Sequence, residues 1–154
     1  MPLPILKKLL CLMSVTSFVV ATTAVAQSED TSAKQTPMIS LELNSATDAE
    51  NDSCRLTYVA TNHSGKAIGQ IAYQVGVFDS EGIVRRILVL EFGALTVGKT
   101  KIVLFDLAEQ KCNDISRIIV NDVAKCTLAD DATDAGFCLK GLVTNSRNDI
   151  QFTM

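Results

Sequence analysis

The stretch covering residues 70–107 constrains this chain most, because glycine interrupts its apolar runs where a helix would need continuity. Residues 70–79 and 83–92 are apolar, β-branched runs separated by Ser80-Glu81-Gly82, and a third run, 100–107, follows the turn Thr96-Val97-Gly98-Lys99. An interior glycine costs a helix about 1 kcal/mol against alanine. Gly69, Gly76, Gly82, Gly93 and Gly98 all fall in or beside these runs, which therefore read as strands. In the first, Ile71, Tyr73, Val75 and Val77 alternate with Ala72, Gln74 and Gly76, predicting one buried face. The second places Val84, Leu88, Leu90 and Phe92 on one parity with Arg86, but Ile87 and Val89 on the other, which leaves its register open. Asp79 can accept from its own backbone two residues on and Gly82 can take a positive φ, so the two runs should close as a tight antiparallel hairpin.

The first 26 residues read as an export signal: Lys7 and Lys8, an apolar run over 9–21, then the small-residue site Ala24-Val25-Ala26. Cys11 follows a bulky Leu10 and precedes most of the apolar run, which argues against lipidation. Removing Lys7 and Lys8 from the 14 basic side chains leaves 12 against 17 acids, a net charge of −5. Such a surface favours neither nucleic acid nor an anionic membrane. The 128 residues after the signal suffice for one domain, and no stable membrane insertion is expected after cleavage. Residues 27–37 are polar, small and proline-terminated, and are expected to be a disordered leader.

Order is expected over 38–154, as a single domain. Ile39, Leu41 and Leu43 alternate with polar residues as a first strand; 45–53 is acidic and reads as a loop; 54–62 is a second strand ending in the turn Asn62-His63-Ser64-Gly65. Beyond the central block, 109–114 is a polar break and 115–123 a strand or a short helix. Residues 127–137 read as a loop, and a last strand over about 139–145 resumes near 150–152. About seven short strands between turns predict an all-β, immunoglobulin-like antiparallel β-sandwich.

Four cysteines follow the signal: Cys54, Cys112, Cys126 and Cys138. An even count in an exported chain implies two disulfides, and no pair has the Cys-x-x-Cys spacing of redox or zinc chemistry. If successive strands reverse direction, Cys54 and Cys112 meet at one end of the sandwich while Cys126 and Cys138 flank a loop at the other. The expected bridges are therefore Cys54–Cys112 and Cys126–Cys138.

Part of the chain resembles the FxLYD-type module, an immunoglobulin-like sandwich of exported proteins. The resemblance covers roughly 57–107 and is carried by Thr61-Asn62 with Ser64-Gly65-Lys66, by Val75-Gly76-Val77-Phe78-Asp79 before Glu81-Gly82, and by Ala94-Leu95 with Gly98-Lys99. It gives Asn62, Gly65, Asp79, Gly82 and Gly98 turn-forming, structural roles. It implies a fold and an extracytoplasmic location, with no catalytic residue to carry over.

Reactive constellations are hard to assemble. His63 is the only histidine and sits in a turn, where a triad or zinc site would need companions. Arg85-Arg86 could bind an anion, although charges on an outer strand commonly guard against edge pairing. Asp130, Asp131 and Asp134 could form a divalent-cation loop, but they lack the alternating ligands and terminal glutamate of a calcium loop; a solvated loop pinned by disulfide is preferred. No cofactor is implied. The expectation is a non-enzymatic periplasmic module of bacteria that binds another periplasmic or envelope protein. A small-ligand or divalent-metal carrier is the alternative, and a disulfide-active redox protein a more remote one.

Overall fold

The computed structural model describes residues 38–154; the signal and leader expected over 1–37 lie outside the described residues. Eight strands form the domain: β1 (Ile39–Ala49), β2 (Ser53–Asn62), β3 (Ile68–Phe78), β4 (Val84–Leu95), β5 (Thr100–Leu107), β6 (Arg117–Leu128), β7 (Leu142–Ser146) and β8 (Gln151–Thr153). They build two four-stranded sheets, β5-β2-β1-β7 and β4-β3-β6-β8, layered as an immunoglobulin-like sandwich. The fold is all-β, apart from a 3₁₀ turn at Cys112–Asp114 and one short helix, α1 (Ala135–Lys140).

Alternation decides the layering. Ile71, Tyr73, Val75 and Val77 of β3 face inward and meet Leu41, Leu43, Leu56 and Tyr58 from the other sheet, all buried. The Tyr58 ring packs edge-on against Phe92 at 5.6 Å, Phe105 at 5.8 Å and Phe152 at 5.1 Å, so one residue of β2 touches strands of both sheets. Such aromatic pairs add about 0.5–1.5 kcal/mol each beyond their buried area.

Four details differ from the sequence expectation. The strands number eight rather than about seven, and the sheets are mixed: β7 runs parallel to β1, and β8 parallel to β6. The apolar tail over 139–152 is two strands in different sheets, split at the Ser146–Ile150 turn, where Ser146 Oγ donates to the Ile150 carbonyl at 2.6 Å. The acidic stretch 45–53 is mostly strand: after a bulge near Asn44, β1 continues to Ala49 in register with β2. Glu50, Asn51 and Asp52 leave the ladder, and Asn51 (φ 58°) and Asp52 (φ 53°) are the two left-handed residues at the centre of the tight turn that the Ser53 amide closes on the Glu50 carbonyl. Finally, Cys138 sits on α1 rather than at the end of a loop. Asp134 caps that helix by accepting from the Phe137 amide at 2.9 Å.

The cysteines pair as Cys54–Cys112 and Cys126–Cys138. The strands that order them do reverse: Cys54, near the start of β2, stands opposite Leu107, the last residue of β5, and Cys112 follows shortly after. Cys126 lies near the far end of β6, beside α1. Loop closure gives about 4 kcal/mol for the 58-residue separation and about 3 kcal/mol for the 12-residue one.

Candidate functional site

The two sheets end on one flank in β4 and β5, the outermost strands on that side. Gly93, at φ 69°, accompanies a bulge in which Phe92 is the extra residue between the pairs Ala72–Glu91 and Ile71–Gly93. Lys101 of β5 reaches across to the bulged segment and donates from Nζ to the Phe92 carbonyl at 2.7 Å and the Ala94 carbonyl at 3.3 Å. The bulge and the lysine close the last third of the β4 edge. The stretch before it pairs with no further strand among the described residues.

The middle of each outer strand on this flank turns apolar side chains outward, between charged or polar residues at its ends. The pairs Gln74–Val89 and Gly76–Ile87 set Ile87 and Val89 on the outer face, while Leu88 and Leu90 stand opposite the inward residues Val75 and Tyr73. Ile87 is 66% exposed; Ile102 and Leu104 on β5 are 64% and 56% exposed. The split parity of 83–92 in the sequence was thus the mark of a strand with two apolar faces. Beside Ile87, the Phe78 ring lies over Gly76, and the Arg117 guanidinium stacks on that ring at 4.3 Å.

The β3–β4 turn borders the flank. Asp79 is buried, and its Oδ1 accepts from the amides of Glu81 and Ile83, both at 2.9 Å, while Oδ2 accepts from Arg85 Nε at 2.5 Å. The Ile83 amide first, and then the Arg85 guanidinium, hold the carboxyl below the usual carboxylate range. Gly82, at φ 78°, completes the turn. A shallow depression of about 430 Å³ opens here between Asp79, Glu81, Arg85, Arg86, Gln110 and Asp114. Arg85 holds Asp79 through Nε and has Glu81 3.8 Å from Nη2, so the Arg85-Arg86 pair sits among acids rather than in a cradle that two free guanidinium groups would make for a small anion. On the opposite layer the Arg55 fork holds Asp106 at 2.7 and 2.8 Å and keeps its carboxyl low.

The remaining residues singled out in the sequence lie in turns, at a helix cap or at the end of a strand. Asn62 is buried; its Nδ2 donates to the carbonyls of Lys66 and Leu95, its Oδ1 accepts from Ser64 N and Oγ, and its own carbonyl accepts from Gly98 N at 2.8 Å. Gly98 takes φ 69°, whereas Gly65 has an ordinary φ and open space where a Cβ would project. His63 is exposed and its Nε2 lies 3.1 Å from Ser40 Oγ. Asp130, Asp131 and Asp134 do not converge: Asp130 accepts from the Ala132 amide, Asp131 takes φ 63° in the turn, and Asp134 caps α1. Among the described residues no group of three His, Cys, Asp or Glu side chains could hold a metal ion. All four bonded cysteines are buried. Among the described residues no helix is long and apolar enough to cross a membrane.

Two features had no sequence signal strong enough to find them: the Lys101 cap across the sheets and the Tyr58 hydroxyl, which is buried without a hydrogen-bond partner. The first depends on two strands meeting across the flank, and the second on the exact depth of a ring in the core.

No known family profile matches the chain, and no curated protein matches it in sequence. Among solved structures it is similar to IrmA from Escherichia coli, at 12% identity and a TM-score of 0.54, over 70% of this chain and 91% of that one. At that identity the likeness shows a shared fold.

Proposed function

We propose that this chain is a non-catalytic interaction module of the bacterial periplasm, binding another envelope protein by strand addition or face packing at the β4–β5 flank. The observation that carries the reading is the combination, on one flank, of outermost strands with the outward apolar residues Ile87, Val89, Ile102 and Leu104. Edge strands of this kind recruit extended segments through main-chain hydrogen bonds, while alternate side chains supply selectivity. Two disulfides support an oxidising compartment. Burial of all four sulfurs speaks against a redox role, since exchange needs an accessible sulfur. The aromatic packing around Tyr58 fills the space between the sheets that a carried ligand would use.

The test is affinity capture from periplasmic extract with the wild-type domain and with Ile102→Lys and Leu104→Lys. A specific partner retained by the wild type and lost by both variants is the expected result. Turnover of a substrate with no flank-dependent partner would overturn the reading.

A further inference from the structure

We infer that two copies of this chain associate through β4, antiparallel about a two-fold axis at Leu88. The inference rests on the reading that this flank recruits a protein chain, and names that chain. Lys101 covers the carbonyls of Phe92 and Ala94 at one end of the edge, and the turn held by Asp79 and Arg85 bounds the other. The open stretch between them is 85–91, and Leu88 is its midpoint. Its outward residues are Arg85, Ile87, Val89 and Glu91, all exposed.

Directly opposed residues in an antiparallel pair share a face, which allows only registers centred on a residue. Centring on Ile87 would set Arg85 against Val89 and Glu91 against Ile83. Centring on Val89 would set Ile87 against Glu91 and Arg85 against Gly93. Centring on Leu88 sets Arg85 against Glu91 of the second copy and Ile87 against Val89, and symmetry makes each contact twice. An outward charge on an edge strand blocks pairing unless it meets its opposite, and only this register of the three lets both outward charges do so; Arg86, half-buried on the other parity, then stands against Leu90. Arg85 remains 53% exposed; its Nε holds Asp79, and its Nη2 lies 3.8 Å from the exposed Glu81, too far for a hydrogen bond, so the amino groups of the fork still have donors for a carboxylate of the second copy. β5 lacks this self-complementarity. Its outward acid, Asp106, is already held by Arg55, and pairing β5 with itself about Val103 would oppose Asp106 to Thr100.

Sedimentation equilibrium of the protein with both disulfides formed tests this, alongside amide exchange of β4. The wild type is expected to dimerise reversibly, with β4 amides exchanging more slowly as concentration rises. Glu91→Lys and Ile87→Lys should each weaken the dimer by about tenfold or more, because each enters the interface twice, while leaving the circular dichroism spectrum unchanged. A monomer at every concentration, or a dimer that both variants leave intact, overturns the inference. If the monomer still captures a partner through the flank, the broader reading stands without this one; if the dimer forms and captures nothing else, the reverse holds.

Discussion

The phenolic hydroxyl of Tyr73 donates to the carbonyl oxygen of Cys138 at 2.8 Å, joining the middle of β3 to the helix that carries a disulfide. The hydroxyl of Tyr58, equally deep in the same core, has no partner among the described residues. Burial pushes both phenols above their usual range. The two tyrosines should therefore respond with opposite signs to loss of the hydroxyl. Tyr73→Phe leaves a buried carbonyl unpaired and is expected to cost about 1–2 kcal/mol. Tyr58→Phe removes a desolvated polar group and should stabilise by about 1 kcal/mol. Urea denaturation of the two variants at neutral pH checks both, and equal losses would refute the contrast.

Asp79 sets an acid limit on the hairpin. Its folded carboxyl lies below the unfolded value of about 3.9, so the group contributes stability that is complete above that pH and is lost as pH falls through the folded pKa. Asp79→Asn keeps an acceptor for the Glu81 and Ile83 amides but gives up the Arg85 ion pair. The variant should be less stable than the wild type at neutral pH, with the gap shrinking as the solution is acidified below about 4. Denaturation curves across that range would expose a gap that does not close.

Asn62 ties three segments together. Its amide bonds the carbonyls of Lys66 and Leu95 and accepts twice from Ser64, with no access to water. Asn62→Ala would strip partners from several buried groups at once, at an expected cost of about 3–4 kcal/mol. Thermal melting is sufficient to read this, and a loss below about 1 kcal/mol would mean that the turn rearranges to find other partners.

The turn glycines are not equivalent. Gly98→Ala forces an L-residue to φ 69° and should cost about 1 kcal/mol. Gly65→Ala meets open space at an ordinary φ and should be neutral or stabilise by roughly 0.5 kcal/mol through the unfolded state. Comparing the two midpoints under identical conditions decides between a backbone requirement and a habit of turn composition.

Alternation was enough to show which residues of β1 and β3 turn inward, and strand reversal was enough to order the cysteines, because both follow from period and direction rather than from contacts. Ser45 to Ala49 hid as a loop because the backbone ladder to β2 holds that end of β1 rather than apolar side chains. Six residues of α1 are too few for a helical period to declare itself; the Asp134 cap and the Cys126–Cys138 bond hold it instead. The flank was half visible: Ile87 and Val89 disturbed the parity of β4, but only the strand order shows that β4 ends its sheet among the described residues.

The Cys126–Cys138 bond and the Tyr73 hydroxyl act on the same short helix, so their effects should not add. The disulfide fixes Cys138 against β6, which places its carbonyl for the hydroxyl of β3. Replacing both cysteines with alanine should cost about 3 kcal/mol by loop entropy and free α1 to move away from the sheet. In that background the Tyr73 hydroxyl would have no fixed acceptor, and Tyr73→Phe should lose most of its cost. A double-mutant cycle is therefore expected to give a coupling of about 1 kcal/mol between two interactions that meet at Cys138. Strict additivity would show that α1 stays docked without its sulfur bond, held by the Asp134 cap and its own packing.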